Sequence, residues 1–504
     1  MKKFIYATLA LAAVLLFASC KNDKNQPKNE KADAYISFTF SLPQDGFRAG
    51  VDGKNAGDEY VGTTAEQAIN AVRVVLYDPA SGDAKYAFDY NITGDGSQAP
   101  TGDGIAPNGT AATTARFTTK AEGVTSQDYL MLAIINPTAD VKAATAQGKT
   151  LLDAQTAITS DVATLSGNGI MMSNDRGLVK VAPTQMKAAA ADAEKDPVKV
   201  NVDRILAKVF VGGEAKTPEG AKFTGIKWQL NTTNKKTFIY RQFGQVVTEL
   251  NKFAVETAED QSKRFDRYAQ DPNFSGAFNG DDFDYLEGTP ELNGTFGYAD
   301  ANGQYCLENT MDAASQKIQQ TTSFILSGTW TPATHHGITF TAGETWYSYQ
   351  GFTFTVAKMK EYITEANDDT KKDKAEINGT PVGFKAALKA LLAEANCPVK
   401  AEGTITESFV SHDIKGYFKG VCYYQTNLIR HFNNDQSSQD MGYGRYGVVR
   451  NNIYKINVKA ISQPGEPTVV NDKDNPGNDD PTKVFVAFDI TINSWIVRTQ
   501  DISL

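Results

Sequence analysis

The chain has 504 residues, of which 41% are hydrophobic and 22% charged, and a formal net charge of −9. That length leaves room for two or more domains with sizeable cores, and the acidic balance excludes a nucleic-acid partner, which calls for a basic face. Four cysteines in the whole chain exclude a disulfide framework.

The chain opens with a basic start, Met1-Lys2-Lys3, an apolar run from Phe4 to Phe17, and then Ala18-Ser19-Cys20. The run is too short and wrongly flanked for a membrane span and reads as a signal peptide over residues 1–19. Cysteine directly after the small residues resembles a bacterial lipobox, although Phe17 stands where leucine is more usual. Cys20 is therefore the expected lipidation site, and a plain secretory signal is the alternative. A polar leash follows from Lys21 to Asp33, and no later apolar run is long enough to cross a bilayer.

Strand signals then dominate. Ala34 to Leu42 alternates, with Ile36, Phe38, Phe40 and Leu42 on one face and Tyr35, Ser37, Thr39 and Ser41 on the other. A Gly-rich break holding Phe47-Arg48-Ala49-Gly50 comes next. Further strands are expected at Val72 to Tyr77, Arg116 to Thr119, Tyr129 to Ile135, Val198 to Val211, Gly225 to Asn231 and Thr322 to Trp330. Ile338 to Thr341, Gly351 to Val356, Gly416 to Tyr424 and Val448 to Ile461 continue the series. Helical spacing is confined to Glu66 to Ala71, Lys358 to Ala366 and Gly383 to Ala395. The fold class is all-β, built from sandwiches or barrels, and helices are too sparse for a doubly wound sheet. The Ala-rich, charged segment Lys187 to Lys195 precedes a boundary near Val198 to Val211. It divides a first β-domain, about 34–205, from a second, 206–504. Loops at about 255–320, rich in Asp, Gly, Asn and Tyr, read as surface insertions.

Motifs for chemistry fail on inspection. Gly442-Tyr443-Gly444-Arg445-Tyr446-Gly447 matches a dinucleotide fingerprint, but a polar loop precedes it and a strand follows, where a strand and then a helix are required. Asp472-Lys473-Asp474-Asn475-Pro476-Gly477 imitates a calcium loop, yet Lys483 stands where a bidentate Glu is needed. The adjacent His335 and His336 would point to opposite faces of a strand. No catalytic, cofactor-binding or metal site is expected, and no enzyme. Cys306, Cys397 and Cys422 read as three buried thiols, with room for one bridge.

The chain ends on a second alternating segment. A Pro-punctuated polar run, Asn471 to Pro481, leads to Val484, Val486, Phe488, Ile490 and Ile492, which alternate with Phe485, Ala487, Asp489, Thr491 and Asn493. Two readings stand: a tethered strand handed to a neighbour, or a last strand folding back into its own sheet.

One family ties these segments together. Gly447 to Ile461 (G-V-V-R-N-N-I-Y-K-I-N-V-K-A-I) resembles the signature strand of the fimbrillins, the subunits of type V pili in Bacteroidales. The polar linker, the alternating strand and Ser494-Trp495-Ile496-Val497 resemble the end of the short-fimbria (Mfa-like) shaft subunit. Tyr35 to Leu42 with Arg48-Ala49-Gly50, Tyr129 to Asn136 and Val202 to Val209 match in the same order. The resemblance implies two transthyretin-like β-sandwich domains, 49–205 and 206–504, and an outer-membrane lipoprotein precursor with propeptide 20–48. It implies that an arginine-specific, gingipain-like protease cuts after Arg48, frees Ala49 and removes the strand bearing Ile36, Phe38, Phe40 and Leu42. The strand in 482–504, with Val484, Val486, Phe488, Ile490 and Ile492, would fill the vacated groove of a second copy. The implied partners are other copies head to tail, anchor and tip subunits, the protease, and the outer membrane through the precursor's lipid. The implied setting is a cell-surface fimbrium in adhesion and biofilm formation.

Physics is compatible with such an exchange. An emptied slot exposes apolar side chains and unpaired backbone groups, and a donated strand with alternate apolar residues restores both. Five buried apolar side chains contribute roughly 8–15 kcal/mol before ordering costs, and a head-to-tail contact that does not close gives a filament. The alternatives are a tip or accessory subunit of the same family, or a stationary lipoprotein binding glycans through Trp330, Trp346 and Tyr347. Core packing is the plainer role for those aromatics.

Overall fold

The structure is a computed structural model that describes residues 32–42, 62–155, 158–159, 161–167, 169–242, 268–368, 370, 375–431, 446–471 and 486–494. Cys20, Arg48, Ala49 and Val484 lie outside the described residues, as do most of the linker after Asn471 and the glycine motif up to Arg445. The expected class holds: the chain is all-β, arranged as tandem β-sandwiches with a few short helices.

The first half is built from β1 (Ala34–Ile36), β2 (Phe38–Ser41), α1 (Thr64–Gln67), β3 (Val72–Tyr77), β4 (Ala84–Tyr90), β5 (Arg116–Thr118), β6 (Glu122–Val124) and β7 (Tyr129–Ile135). It continues through α2 (Ala139–Ala144), α3 (Leu151–Gln155), β8 (Ile158–Thr159), α4 (Val162–Ser166), β9 (Met172–Asn174), β10 (Val179–Val181), α5 (Ala190–Lys195) and β11 (Val198–Arg204). The strands run in the order β4-β3-β7-β9-β11-β2-β5, with β10 also on β7 and β1 paired to β6. β11 serves both layers, since 198–201 pair with β2 and 202–204 with β9. Val72, Val74, Leu76, Met131, Ala133 and Ile135 of one layer meet Phe38, Phe40, Val198 and Val200 of the other in a shared core. Helices α2 and α4 were not apparent as periodic patterns because five or six residues hold too few turns. Their local signals are the caps, Thr138 accepting from Val141 N and Asp161 from Thr164 N.

The segment expected as one strand over 34–42 is broken at Ser37. Ser37 Oγ donates to Thr119 O (2.6 Å) and Phe38 N donates to the Thr119 hydroxyl (3.1 Å). The side chain of Thr119 thus takes a ladder bond, and β1 and β2 diverge to different partners.

The second half begins with β12 (Leu206–Lys216), β13 (Lys222–Asn231), β14 (Thr233–Asn234), β15 (Lys236–Thr237), β16 (Phe283–Asp284), β17 (Gly294–Thr295), β18 (Gln304–Leu307) and β19 (Ser323–Thr331). An insertion follows, with β20 (Trp346–Tyr349), β21 (Phe352–Thr355), α6 (Val356–Asn367), α7 (Phe384–Leu392), β22 (Phe409–Ser411) and β23 (Ile414–Tyr417). The chain then returns through β24 (Val421–Leu428), β25 (Asn452–Ile461) and β26 (Val486–Ser494). Sheet β18-β12-β25-β26 faces sheet β17-β13-β19-β24, and Val209, Val211, Trp228, Phe324, Leu326, Ile456 and Val458 lie in the core between them.

Four sequence expectations change here. Val198 to Val211 is two strands in two sheets, parted at Ile205; the apolar pattern runs on because Val198, Val200 and Val202 serve the first core, while Val209 and Val211 serve the second. Gly416 to Tyr424 is likewise split between β23 and β24 by a turn in which Lys419 takes φ 55°. Ile338 to Thr341 forms only a bridge, Ile338 to His335. The loops near 255–320 are not merely surface insertions, because β18 lies within them with Cys306, Leu307 and Glu308 at most 1% exposed. The insertion has its own core, where Tyr347, Phe354, Met359, Phe384 and Leu388 cover the sheet β21-β20-β23-β22.

Candidate functional site: the terminal strands and the joint between them

β2 is an interior strand. It runs parallel to β11, with Phe38 opposite Val198 and Phe40 opposite Val200, and antiparallel to β5, with Phe40 opposite Phe117. Ile36, Phe38 and Phe40 are fully buried and Leu42 is 2% exposed. The Phe40 and Phe117 rings stack at 5.0 Å between centroids. The polar face is also covered: Ser37 is buried, and Thr39 Oγ1 donates to Phe117 O (3.3 Å) and accepts from Thr118 Oγ1 (3.2 Å). Removing this strand strips β5 and half of β11 of their partners and opens the first core along an apolar slot.

β26 lies at the opposite end of the chain and at the edge of its sheet. It pairs antiparallel with β25 from Asn452↔Ser494 to Ile461↔Val486, with a bulge between Val458 and Ala460. Phe488, Ile490 and Ile492 stand opposite Val458, Ile456 and Tyr454 in this register. Val486 is buried in the second core and Ala487 is exposed. Of the two readings of the terminal segment, the unassembled chain shows the strand folded onto its own sheet. One edge of β26 has no strand beside it among the described residues.

The two halves of the chain meet at a buried joint. Glu66 of α1 receives Lys208 Nζ at 2.6 Å and the Tyr305 hydroxyl at 2.5 Å, and both charged side chains are 2% exposed. Burial and then the Glu66 carboxylate push the Tyr305 hydroxyl up, so it stays a donor. Asp203 of β11 takes Arg241 Nη2 at 2.8 Å on one oxygen and Asn451 Nδ2 at 2.9 Å on the other. Arg241 reaches Glu308 at 3.6 Å, and Arg450 Nε donates to Glu308 at 2.8 Å. Opposite charges alternate through this buried cluster, so each has a partner, and deleting one member leaves another uncompensated. Leu206, Phe210, Ile239 and Ile453 add apolar contact with Val75, Leu132, Ile134 and Met171 of the first half. β15 pairs with β8 across the same boundary. Sequence reading did not single out these charges, because isolated Asp, Glu and Arg residues in strands carry no mark of burial.

The aromatic candidates for glycan binding are buried. Trp330 is 3% exposed and Trp346 and Tyr347 are fully buried, with Trp346 stacked on Tyr417 at 3.8 Å, so they form no glycan platform. Cys306 and Cys422 are buried free thiols, whereas Cys397, expected to be buried with them, is a free thiol only partly covered in the turn after α7; burial pushes Cys306 and Cys422 up to about 12, which keeps them protonated. Among the described residues no group of three or more His, Cys, Asp or Glu side chains could hold a metal ion.

Residues 415–501, which contain β24, β25 and β26, match the family model for the C-terminal part of fimbrillin, a major fimbrial subunit protein of type IV. This stretch is similar to a fimbrillin C-terminal region. The family resemblance read from Gly447 to Ile461 lies within the matched span, and the matched family is one of fimbrial subunits. Among solved structures, a fimbrilin from Porphyromonas gingivalis is similar at 14% identity, covering 93% of this chain and 99% of that one with a TM-score of 0.40. The tip fimbrial protein of the same organism, truncated at its C-terminus, is similar at 12% identity, covering 92% and 100% with a TM-score of 0.33. No curated protein sequence matches the chain.

Proposed function

We propose that this chain is a structural, non-enzymatic shaft subunit of a type V surface fimbria, made as an outer-membrane lipoprotein anchored at Cys20. An arginine-specific protease cuts between Arg48 and Ala49 and releases β1 and β2, leaving domains 49–205 and 206–504. The terminal strand of a second copy then enters the slot, with Val484, Val486, Phe488, Ile490 and Ile492 replacing Ile36, Phe38, Phe40 and Leu42. Repetition head to tail gives a filament joined to anchor and tip subunits, which supports adhesion and biofilm formation.

The observation that carries this reading is β2 itself: a strand at the extreme start of the described chain, buried on both faces between β11 and β5. An interior strand that is removed leaves unpaired edges and an open core, which a replacement strand would have to fill. Arg48→Ala should leave a lipidated precursor that retains residues 21–48 and forms no filaments, read by mass spectrometry and negative-stain microscopy. Filaments built from Arg48→Ala subunits that begin at Ala49 would show that the cut is made by another specificity.

The pairing of β26 on β25 favours a second reading, an accessory or tip subunit that keeps its last strand. The two differ in whether the isolated chain, once cut, polymerises with itself.

A further inference from the structure

β11 and β12 are one run of chain, parted only at Ile205; β11 pairs with one terminal strand, and β12 with the partner of the other. β2 pairs with 198–201 of β11, while β12 pairs in parallel with β25, which carries β26. Asn451, immediately before β25, ties the two together. Its Nδ2 donates to Asp203 Oδ1 (2.9 Å), its Oδ1 accepts from Arg204 N (3.4 Å), and its own N donates to Leu206 O (2.8 Å). It holds φ at 61°, a left-handed conformation that Asn and Gly tolerate. Its neighbour Arg450 is fixed by Glu308, and Asp203 by Arg241.

We propose that Asn451 couples the two ends of the molecule: while β2 occupies its slot, β11 holds the start of β25 in place and β26 stays parked on it, and loss of β2 loosens β26. The end of β11 cannot shift alone, because moving Asp203 away from Asn451 and Arg241 leaves buried polar groups unpaired. The shift is therefore shared with β25, whose first residue, Asn452, is the partner of Ser494. The first strand would then do two things, filling its own slot and restraining the strand that is to be donated. This rests on the reading of β26 as a strand that leaves its sheet.

Amide hydrogen exchange of the full, uncut precursor tests the coupling. Phe40→Ala opens a cavity under β2 and should raise exchange across Val486–Ser494 at least about fivefold relative to β21 and β22, whose buried aromatics lie in the insertion's own core. Asn451→Gly keeps the backbone conformation and removes the side-chain bonds. In that background Phe40→Ala should change the ratio by less than about twofold. Phe40→Leu gives the same comparison if the alanine variant does not fold. An unchanged ratio in both β2 variants, or a full rise that persists with Asn451→Gly, overturns the proposal. Because exchange is read on unassembled chains, filament formation by the same preparations scores the polymerisation reading separately.

Discussion

The Phe40→Asp precursor is expected to lose β2 from its sheet without being cut. Phe40 is fully buried, stacks on Phe117 and faces the core shared with Val200. Truncating a buried Phe alone costs about 3–5 kcal/mol, and an unpaired carboxylate adds the cost of taking a charge out of water. Urea titration followed by circular dichroism should show a loss above about 4 kcal/mol, with new protease sensitivity within residues 34–42. Ser41→Asp, at a half-buried position at the end of the same strand, should cost less than about 1 kcal/mol. Equal losses at the two positions would contradict an interior β2.

The largest effect on assembly is expected from a charge on the alternating face of the terminal strand. Ile490→Lys should raise the subunit concentration needed for filaments at least about a hundredfold, equivalent to about 2.7 kcal/mol. Ile490 belongs to the alternating set Val484, Val486, Phe488, Ile490 and Ile492. Thr491→Lys, one residue on, should shift that concentration less than about threefold, since a period-two strand turns it to the other side. Sedimentation of filaments across a dilution series measures both. Equal weakening would remove alternation as the basis of the contact.

Much of this was legible in the sequence, and the reasons differ by element. Strands such as β3 and β7 stood out because their runs of Val, Ile, Leu and Met are buried on both sides. Helices α6 and α7 stood out because nine to twelve residues show helical spacing. The break at Ser37 did not, because it depends on Thr119, distant in sequence. Nor did the division at Ile205, where strands of two sheets join without a Gly or Pro and the charged Asp203-Arg204 pair before it is buried within β11. The joint was silent for a related reason: Glu66, the Asp203–Lys208 stretch, Glu308 and Arg450 are far apart in the chain and are brought together only by the fold. For the terminal segment, alternation gives strand and face but not which chain supplies the partner.

Deleting residues 484–504 puts the account's central claim, donation of the terminal strand, to its most direct test. β26 sits at a sheet edge, and β12 still holds β25 by a long parallel ladder in its absence. Size-exclusion chromatography with circular dichroism and tryptophan fluorescence should show a folded, protease-matured monomer that forms no filaments. Trp228, Trp330 and Trp346 report on the second half, where the loss would be felt. A truncated chain that unfolds would instead make β26 a permanent part of its own sheet, and one that still polymerises would make the terminal strand irrelevant to assembly.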